Sequence, residues 1–216
     1  MSTSRSRTPL VIGIVLAVVI VAAIVAVVAT RGGDDEAEAC QALELASSDV
    51  VTVAGAALPE GEGSDDPCVG RAVPALSGED YAGNPTTITP GGSGPMMVVV
   101  MAHWCPHCNR EVPLLVQWGR SGDVPEDLQV VGVSTAAREG TEHYPPSSWI
   151  EEIGWEWPVL ADDELQTAAA ALGTTGYPYL MFIDADGNLM FREAGELPIE
   201  EVQRLADLAA ATVDAT

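Results

Sequence analysis

The chain has 216 residues, 32 of them acidic and 9 basic, for a formal net charge of −23. All the basic residues are arginine, and so large a negative excess makes nucleic acid and anionic membrane surfaces poor partners. The length suits one globular domain with accessory segments, and no internal repeat is visible.

Leu10 to Ala29 is an unbroken apolar run of about twenty residues. As a helix it would span about 30 Å, the thickness of a bilayer's hydrocarbon core. Arg5 and Arg7 precede it, while Asp34, Asp35, Glu36 and Glu38 follow Arg31 on the far side. The positive-inside bias therefore predicts a cytoplasmic N-terminus at 1–9, a single-pass transmembrane anchor at 10–29 and an extracytoplasmic remainder. A cleaved signal peptide is the alternative, but its apolar core is usually shorter, roughly 7–15 residues, and ends in a small-x-small cleavage site. Both readings export the rest of the chain.

Residues 30–68 form an acidic stretch rich in Gly and Ala, expected to act as a linker that buries little core by itself. Leu43, Leu45, Val50, Val51 and Val53 leave room for a short helix or strand within it. Four cysteines in an exported chain invite pairing. Cys105 and Cys108 form a C-x-x-C, which leaves Cys40 and Cys68 to pair as a structural staple. A loop of about 29 residues closed in this way is worth roughly 3.6 kcal/mol on the chain-entropy model. A second redox pair or two free thiols are the other readings of Cys40 and Cys68.

The globular pattern runs over 69–216. Short strands are expected at 73–76 and 86–89. Met96 to Ala102 is a continuous apolar run rich in β-branched residues, as in a central strand buried on both faces. A helix from about Pro106 to Gly119 follows, with a kink expected at Pro113. Leu128 to Val133 predicts a second buried strand, 147–154 a helix, and 158–160 a short extended piece. A helix over 163–172 should stop at Gly173. Tyr179–Ile183 and Asn188–Phe191 predict a hairpin around Asp184-Ala185-Asp186-Gly187. Pro198 should open a last helix, with Val202, Leu205 and Leu208 facing the core. The order describes a mixed α/β sandwich.

Cys105-Pro106-His107-Cys108 falls between a buried strand and a helix. A cysteine at a helix N-terminus meets unpaired N–H groups and the positive end of the helix dipole. In that setting a thiol of pKa about 8.5 can fall to roughly 3.5–7.5, and the thiolate is the nucleophile. Cys105 is thus expected to be exposed and reactive, and Cys108, one turn deeper, to be the resolving thiol. Pro106 suits the first helical turn, where its missing N–H costs nothing. A protonated His107 would stabilise the Cys105 thiolate further. Competing readings are half of a zinc site with His103 or His107, a small structural disulfide, and a peroxidase. Zinc usually needs a second ligand cluster, and a peroxidase a different arrangement around one cysteine. No metal or cofactor beyond the Cys105–Cys108 disulfide is expected.

Met101-Ala102-His103-Trp104-Cys105-Pro106-His107-Cys108 resembles the active-site segment of thioredoxin-like proteins. Asn109-Arg110-Glu111-Val112-Pro113, Trp157-Pro158-Val159-Leu160-Ala161-Asp162, and Gly173-Thr174-Thr175-Gly176-Tyr177-Pro178-Tyr179 followed by Asp184-Ala185-Asp186-Gly187 are similar to segments of the membrane-anchored TlpA-like branch. The resemblance spans about 69–213 and implies a thioredoxin-like fold, with a central mixed sheet flanked by helices. It also implies that Pro178 is a cis-proline beside the disulfide where a substrate peptide aligns. Glu111 would be a partly buried acid that moves the proton of Cys108; the alternative is an ordinary exposed helix glutamate. Trp104 and Tyr177 would support the site, although simple core packing also explains Trp104. Two positions depart from the pattern: Val99 stands where thioredoxins carry a buried Asp, and Tyr177 precedes the proline where small or β-branched residues are common.

The implied activity is thiol–disulfide exchange with exported proteins, through a mixed disulfide on Cys105. Pro-His is the dipeptide of DsbA-type oxidants, near −120 mV against about −270 mV for thioredoxin, a gap of roughly 7 kcal/mol for two electrons. It argues for an oxidant. The TlpA-like architecture and Glu111 argue for a reductant, in that branch often of apocytochrome c. Either direction implies a membrane redox partner that resets the pair. A non-enzymatic module that binds metal or a partner, and a redox-sensing anchor, are readings from other classes.

Overall fold

The computed structural model describes residues 40, 41, 48 and 50–211. In chain order these form β1 (Thr52–Ala54), β2 (Ala75–Glu79), β3 (Pro85–Ile88), β4 (Met96–Met101), α1 (Pro106–Ser121), β5 (Gln129–Ser134), α2 (Pro146–Glu152), β6 (Val159–Ala161), α3 (Thr167–Ala171), β7 (Tyr179–Ile183), β8 (Leu189–Ala194) and α4 (Ile199–Ala210). The anchor expected at 10–29 lies outside the described residues, among which no helix is long and apolar enough to cross a membrane.

All the side chains of β4 are buried, as are those of β7. That pattern requires cover on both faces, and both strands lie inside a mixed five-stranded sheet of order β6-β5-β4-β7-β8. β4 pairs parallel with β5, Val98 opposite Val131, and antiparallel with β7, Val98 opposite Met181. β7 and β8 make the expected hairpin, whose turn is tied by Asn188 N–H donating to Asp184 Oδ1 at 2.8 Å. A smaller antiparallel sheet, β1-β2-β3, lies beside β6.

α1 runs unbroken through Pro113 and ends at Gly122, whose φ of 84° is left-handed. One face of it buries Cys108, Glu111, Val112, Leu115, Val116 and Trp118, the 3.6-residue stripe of a helix lying on a sheet. α4 buries Val202, Leu205, Ala206 and Ala209, but Leu208, expected in the core, is exposed. Six residues past Val202 a helix has turned well off the buried face, and the small side chains at 206 and 209 take the contact instead. The helix expected over 163–172 is only α3. Asp162 and Asp163 have carboxylates that accept the N–H groups of Thr167, Ala168 and Ala169 at 2.8–3.1 Å, and Gln166 is left-handed at φ 58°, so the start of the helix is delayed.

The segment read as linker contributes more than expected from Val51 onward. Val51 and Leu58 are buried, and Leu58 N–H donates to Ala171 O at 3.0 Å. Asp66 and Arg192 form an ion pair with both side chains fully buried. Arg192 Nη1 donates to Leu172 O at 3.0 Å, and Cys68 N–H donates to Asp66 Oδ1 at 2.8 Å. Gly173 stops α3 as expected, with φ 69°; a Cβ there would lie 2.2 Å from Pro59 O, so this segment also demands a glycine.

Candidate active site

β4 ends at Met101 and α1 begins at Pro106, so the C-x-x-C sits where a central strand hands over to a helix. Cys105 is the N-cap residue, with φ −76° and ψ 122°, and Pro106 occupies the first turn. Cys105 and Cys108 are free thiols, whereas Cys40 and Cys68 are disulfide-bonded, which removes the free-thiol reading of the latter two.

Cys105 was expected to be exposed, yet it is only 6% exposed. Its surroundings explain this: Trp104 and Tyr177 pack against the same cluster, their rings edge to face at 6.2 Å. The Cys105 thiol donates to Tyr177 O at 3.3 Å. Tyr177–Pro178 is a cis peptide, so the carbonyl beside the thiol belongs to the residue preceding a cis-proline. Tyr177 OH in turn donates to Gln166 Oε1 at 2.8 Å. Trp104 donates through Nε1 to Ala136 O at 2.7 Å, and the Arg138 guanidinium lies 3.8 Å above its ring.

Cys108 is fully buried, and Ala102 N–H donates to its sulfur at 3.5 Å. Burial pushes its thiol well above the ordinary range, with smaller contributions from the charges of Cys105 and Glu111. Glu111 is 2% exposed, which excludes the exposed-glutamate reading. Its Oε1 accepts Leu197 N–H at 3.0 Å, while Oε2 is buried without a protein partner. Burial, helped by the charge of Glu196, pushes its carboxyl up to about 7. Val99, where thioredoxins carry an acid, is a fully buried apolar residue, and Glu111 is a buried acid on the same helix as Cys108.

The His107 ring meets charged side chains from outside its own turn. Its Nδ1 lies 2.7 Å from Glu196 Oε1 and 2.8 Å from Arg110 Nη2, so its ring partners are these two residues and not Cys105. Arg110 Nε also donates to both oxygens of Glu196, at 3.0 and 3.3 Å, and Nη2 donates to Oε1. Nothing in the spacing of Arg110 and Glu196 in the chain signals this meeting, since the turn after β8 brings Glu196 over the first turns of α1.

Two residues between β4 and α2 brace the loop. Asn109 Nδ2 donates to His103 O and Cys105 O, both at 2.9 Å, and its Oδ1 accepts Trp149 Nε1–H at 2.7 Å. His103, fully buried, accepts Arg138 N–H at Nε2 (3.1 Å) and its Nδ1 meets Glu142 O at 3.0 Å, an arrangement that assigns the proton to Nδ1. Burial lowers its proton affinity. With both nitrogens engaged, His103 has no lone pair left for a metal; among the described residues no group of three or more His, Cys, Asp or Glu is placed to hold one.

Residues 69–192 match the model of the AhpC/TSA family, more than half of the chain. The chain belongs to the AhpC/TSA family. Among curated proteins, it is 29% identical over 103 residues to the thiol:disulfide interchange protein DsbE of Escherichia coli K12, covering 48% of this chain and 51% of that protein. The DsbE homolog of Paracoccus denitrificans is 31% identical over 108 residues, covering 50% and 55%. The matches thus span about half the length of these relatives. A solved thiol:disulfide interchange protein of the thioredoxin family from Chlorobium tepidum superposes with a TM-score of 0.54 at 23% identity, covering 64% of this chain and 95% of that one. This likeness shows a thioredoxin-like fold, with the mixed sheet expected from the sequence. In this AhpC/TSA domain the match begins at Val69, just after Cys68, and ends at Arg192 of the buried ion pair.

Proposed function

We propose that the protein is a thiol–disulfide oxidoreductase of the membrane-anchored, TlpA-like kind, acting on cysteines of exported proteins. The observation that carries this reading is the asymmetry of the two thiols: Cys105 at the start of α1 beside the Tyr177–Pro178 cis peptide, and Cys108 buried near a proton-carrying glutamate. The DsbE relatives support it by name. The disulfide-bonded state of Cys40 and Cys68 supports an oxidising compartment, and the staple we infer is a bond between them. Leu10 to Ala29 with Arg5 and Arg7 before it support a single-pass anchor with the N-terminus inside.

The chemistry follows from the geometry. In the reducing direction the Cys105 thiolate attacks a substrate disulfide, forming a mixed disulfide and releasing one substrate thiolate. Cys108 then loses its proton to Glu111 and attacks Cys105 Sγ. The mixed bond breaks, the second substrate thiolate leaves, and the pair is oxidised by two electrons. In the oxidising direction a substrate thiolate attacks Cys105, and Glu111 protonates the departing Cys108 sulfur. An acid held near 7 serves both steps. Pro178 and the Tyr177 carbonyl align the substrate strand, Trp104 and Tyr177 form the apolar mouth, and Pro106 sets the helix start.

Pro106-His107 favours an oxidant, but His107 is engaged by Glu196 and Arg110, which takes away part of that lever and favours a reductant. Titrating the Cys105/Cys108 pair against glutathione tests both the activity and its direction. A potential between about −120 and −180 mV means an oxidant or isomerase, and one near −270 mV or lower a reductant of exported thiols, with apocytochrome c the leading substrate. Absence of any exchange with glutathione or with insulin would leave the reading without support.

A further inference from the structure

The turn that joins β8 to α4 touches the site twice. Glu196 grips the outer residues His107 and Arg110, and Leu197 N–H, the next residue, holds the inner acid Glu111 at 3.0 Å. We propose that Glu196 is a positioning residue of the exchange site: it ties the Arg110 guanidinium and the His107 ring into an ion cluster and so withholds their positive charge from the Cys105 thiolate. The inference rests on Cys105 being the attacking thiol, as proposed above.

Three observations carry it. Glu196 accepts from both Nε and Nη2 of Arg110, the forked geometry that makes arginine–carboxylate pairs the strong ones. His107 Nδ1 lies within hydrogen-bond distance of both Glu196 Oε1 and Arg110 Nη2. One ring nitrogen can donate to the carboxylate or accept from the guanidinium, but not both, so Glu196 and Arg110 compete for it. Finally, the hydrogen bonds and charge of Glu196 raise the proton affinity of the Arg110 guanidinium, with a smaller contribution from the charge of Cys105.

The other charged or titratable groups around Cys105 are committed elsewhere. On α1, Cys108 and Glu111 are buried. From the loop before β7, Tyr177 donates its hydroxyl to Gln166. From the loop after β5, Arg138 stacks on Trp104. The Arg110 guanidinium, and the His107 ring when both its nitrogens carry protons, are therefore the positive groups on α1 that a change at Glu196 would release. Freed of Glu196, their charge would stabilise the Cys105 thiolate and with it the reduced pair, making the protein a stronger oxidant.

The test uses the full chain, its Glu196→Gln and Glu196→Asp variants, and Glu196→Gln in a background carrying Arg110→Met and His107→Gln. The rate of Cys105 alkylation by iodoacetamide is followed against pH, and the Cys105/Cys108 pair is equilibrated with glutathione. Glu196→Gln should move the alkylation midpoint to lower pH and shift the equilibrium toward the dithiol by about two- to fivefold, the size of an exposed charge interaction. Glu196→Asp should keep the original profile, and in the Arg110→Met, His107→Gln background the shift should fall to less than half. An unchanged profile in Glu196→Gln would overturn the proposal. So would a full shift in the background lacking both cations, because Glu196 would then act on the thiolate directly. Alkylation reads the charge cluster even if the chain exchanges no disulfide, so this inference and the proposed activity fail separately.

Discussion

The two cysteines lie one helical turn apart in surroundings of opposite character. Around Cys105 the structure assembles an outer face of charge and aromatic rings: Arg110, His107 and Glu196 on one side, Trp104 under Arg138 on the other. Around Cys108 there is burial, a single backbone N–H, and a glutamate with one oxygen unpartnered. Two thiols of the same chemistry are thus set in unlike surroundings, which is the basis of the two roles proposed for them. The outer sulfur sits at the start of a helix beside groups that carry charge, while the inner one sits where burial makes an anion costly.

The bluntest way to break this comparison is to remove one sulfur at a time. Cys105→Ser should abolish disulfide exchange with insulin, whereas Cys108→Ser should retain attack and accumulate mixed disulfides, detectable as adducts on non-reducing gels. Equal loss in both variants without adducts would deny the division of roles.

A region far from both thiols provides the control. Asp66→Ala leaves Arg192 charged and buried, and should destabilise the fold by about 3–5 kcal/mol in urea unfolding. The alkylation profile of Cys105 should stay where it is, since the pair lies in the segment packed on α3 and β8.

Next in size is the inner acid. Glu111→Gln should slow exchange by about a hundredfold and remove the limb of the pH–rate profile near 7. Glu111 also makes stability depend on pH, with a definite sign. Its folded-state pKa of about 7 exceeds the ordinary 4.5, so the folded protein holds a proton that the unfolded chain has lost between those values. Its contribution to stability should therefore decline as pH rises from about 4.5 to about 7, by at most about 3.5 kcal/mol, and level off above. Glu111→Gln should make the slope over this range more positive than in the parent chain, and an unchanged slope would refute the assignment.

The smallest expected effect belongs to the brace. Trp149→Phe deletes the bond to Asn109 Oδ1 and leaves a gap where a fully buried indole stood, and should lower stability by about 2 kcal/mol, with a slight loosening of Cys105 seen as faster alkylation at fixed pH.

Much of the site was legible because its chemistry is local. A C-x-x-C just after the apolar run Met96 to Ala102 and opening a helix places one sulfur at an N-cap and the other a turn below. The sheet strands followed from continuous apolar runs, and the hairpin from Asp184 to Gly187. Glu111 was visible only through the family resemblance, since its spacing from Cys108 fits a buried and an exposed glutamate alike. Leu208 was misplaced because an apolar residue at 3-residue spacing drifts off a 3.6-residue face. The contribution of 51–68 to the core went unseen because its composition is that of a solvated linker, and its buried Asp66 needs Arg192, more than a hundred residues away, to be tolerated.

The pair of thiols, their order along a helix and the strand that presents them are written in local sequence, because each depends on neighbours within a turn or two of chain. Only the tertiary structure decided which charges meet them. Whether His107 faces Cys105 or Glu196, and whether Glu111 is solvated or dry, depends on where the turn after β8 lands, and no local propensity encodes a contact between α1 and a turn so distant in the chain.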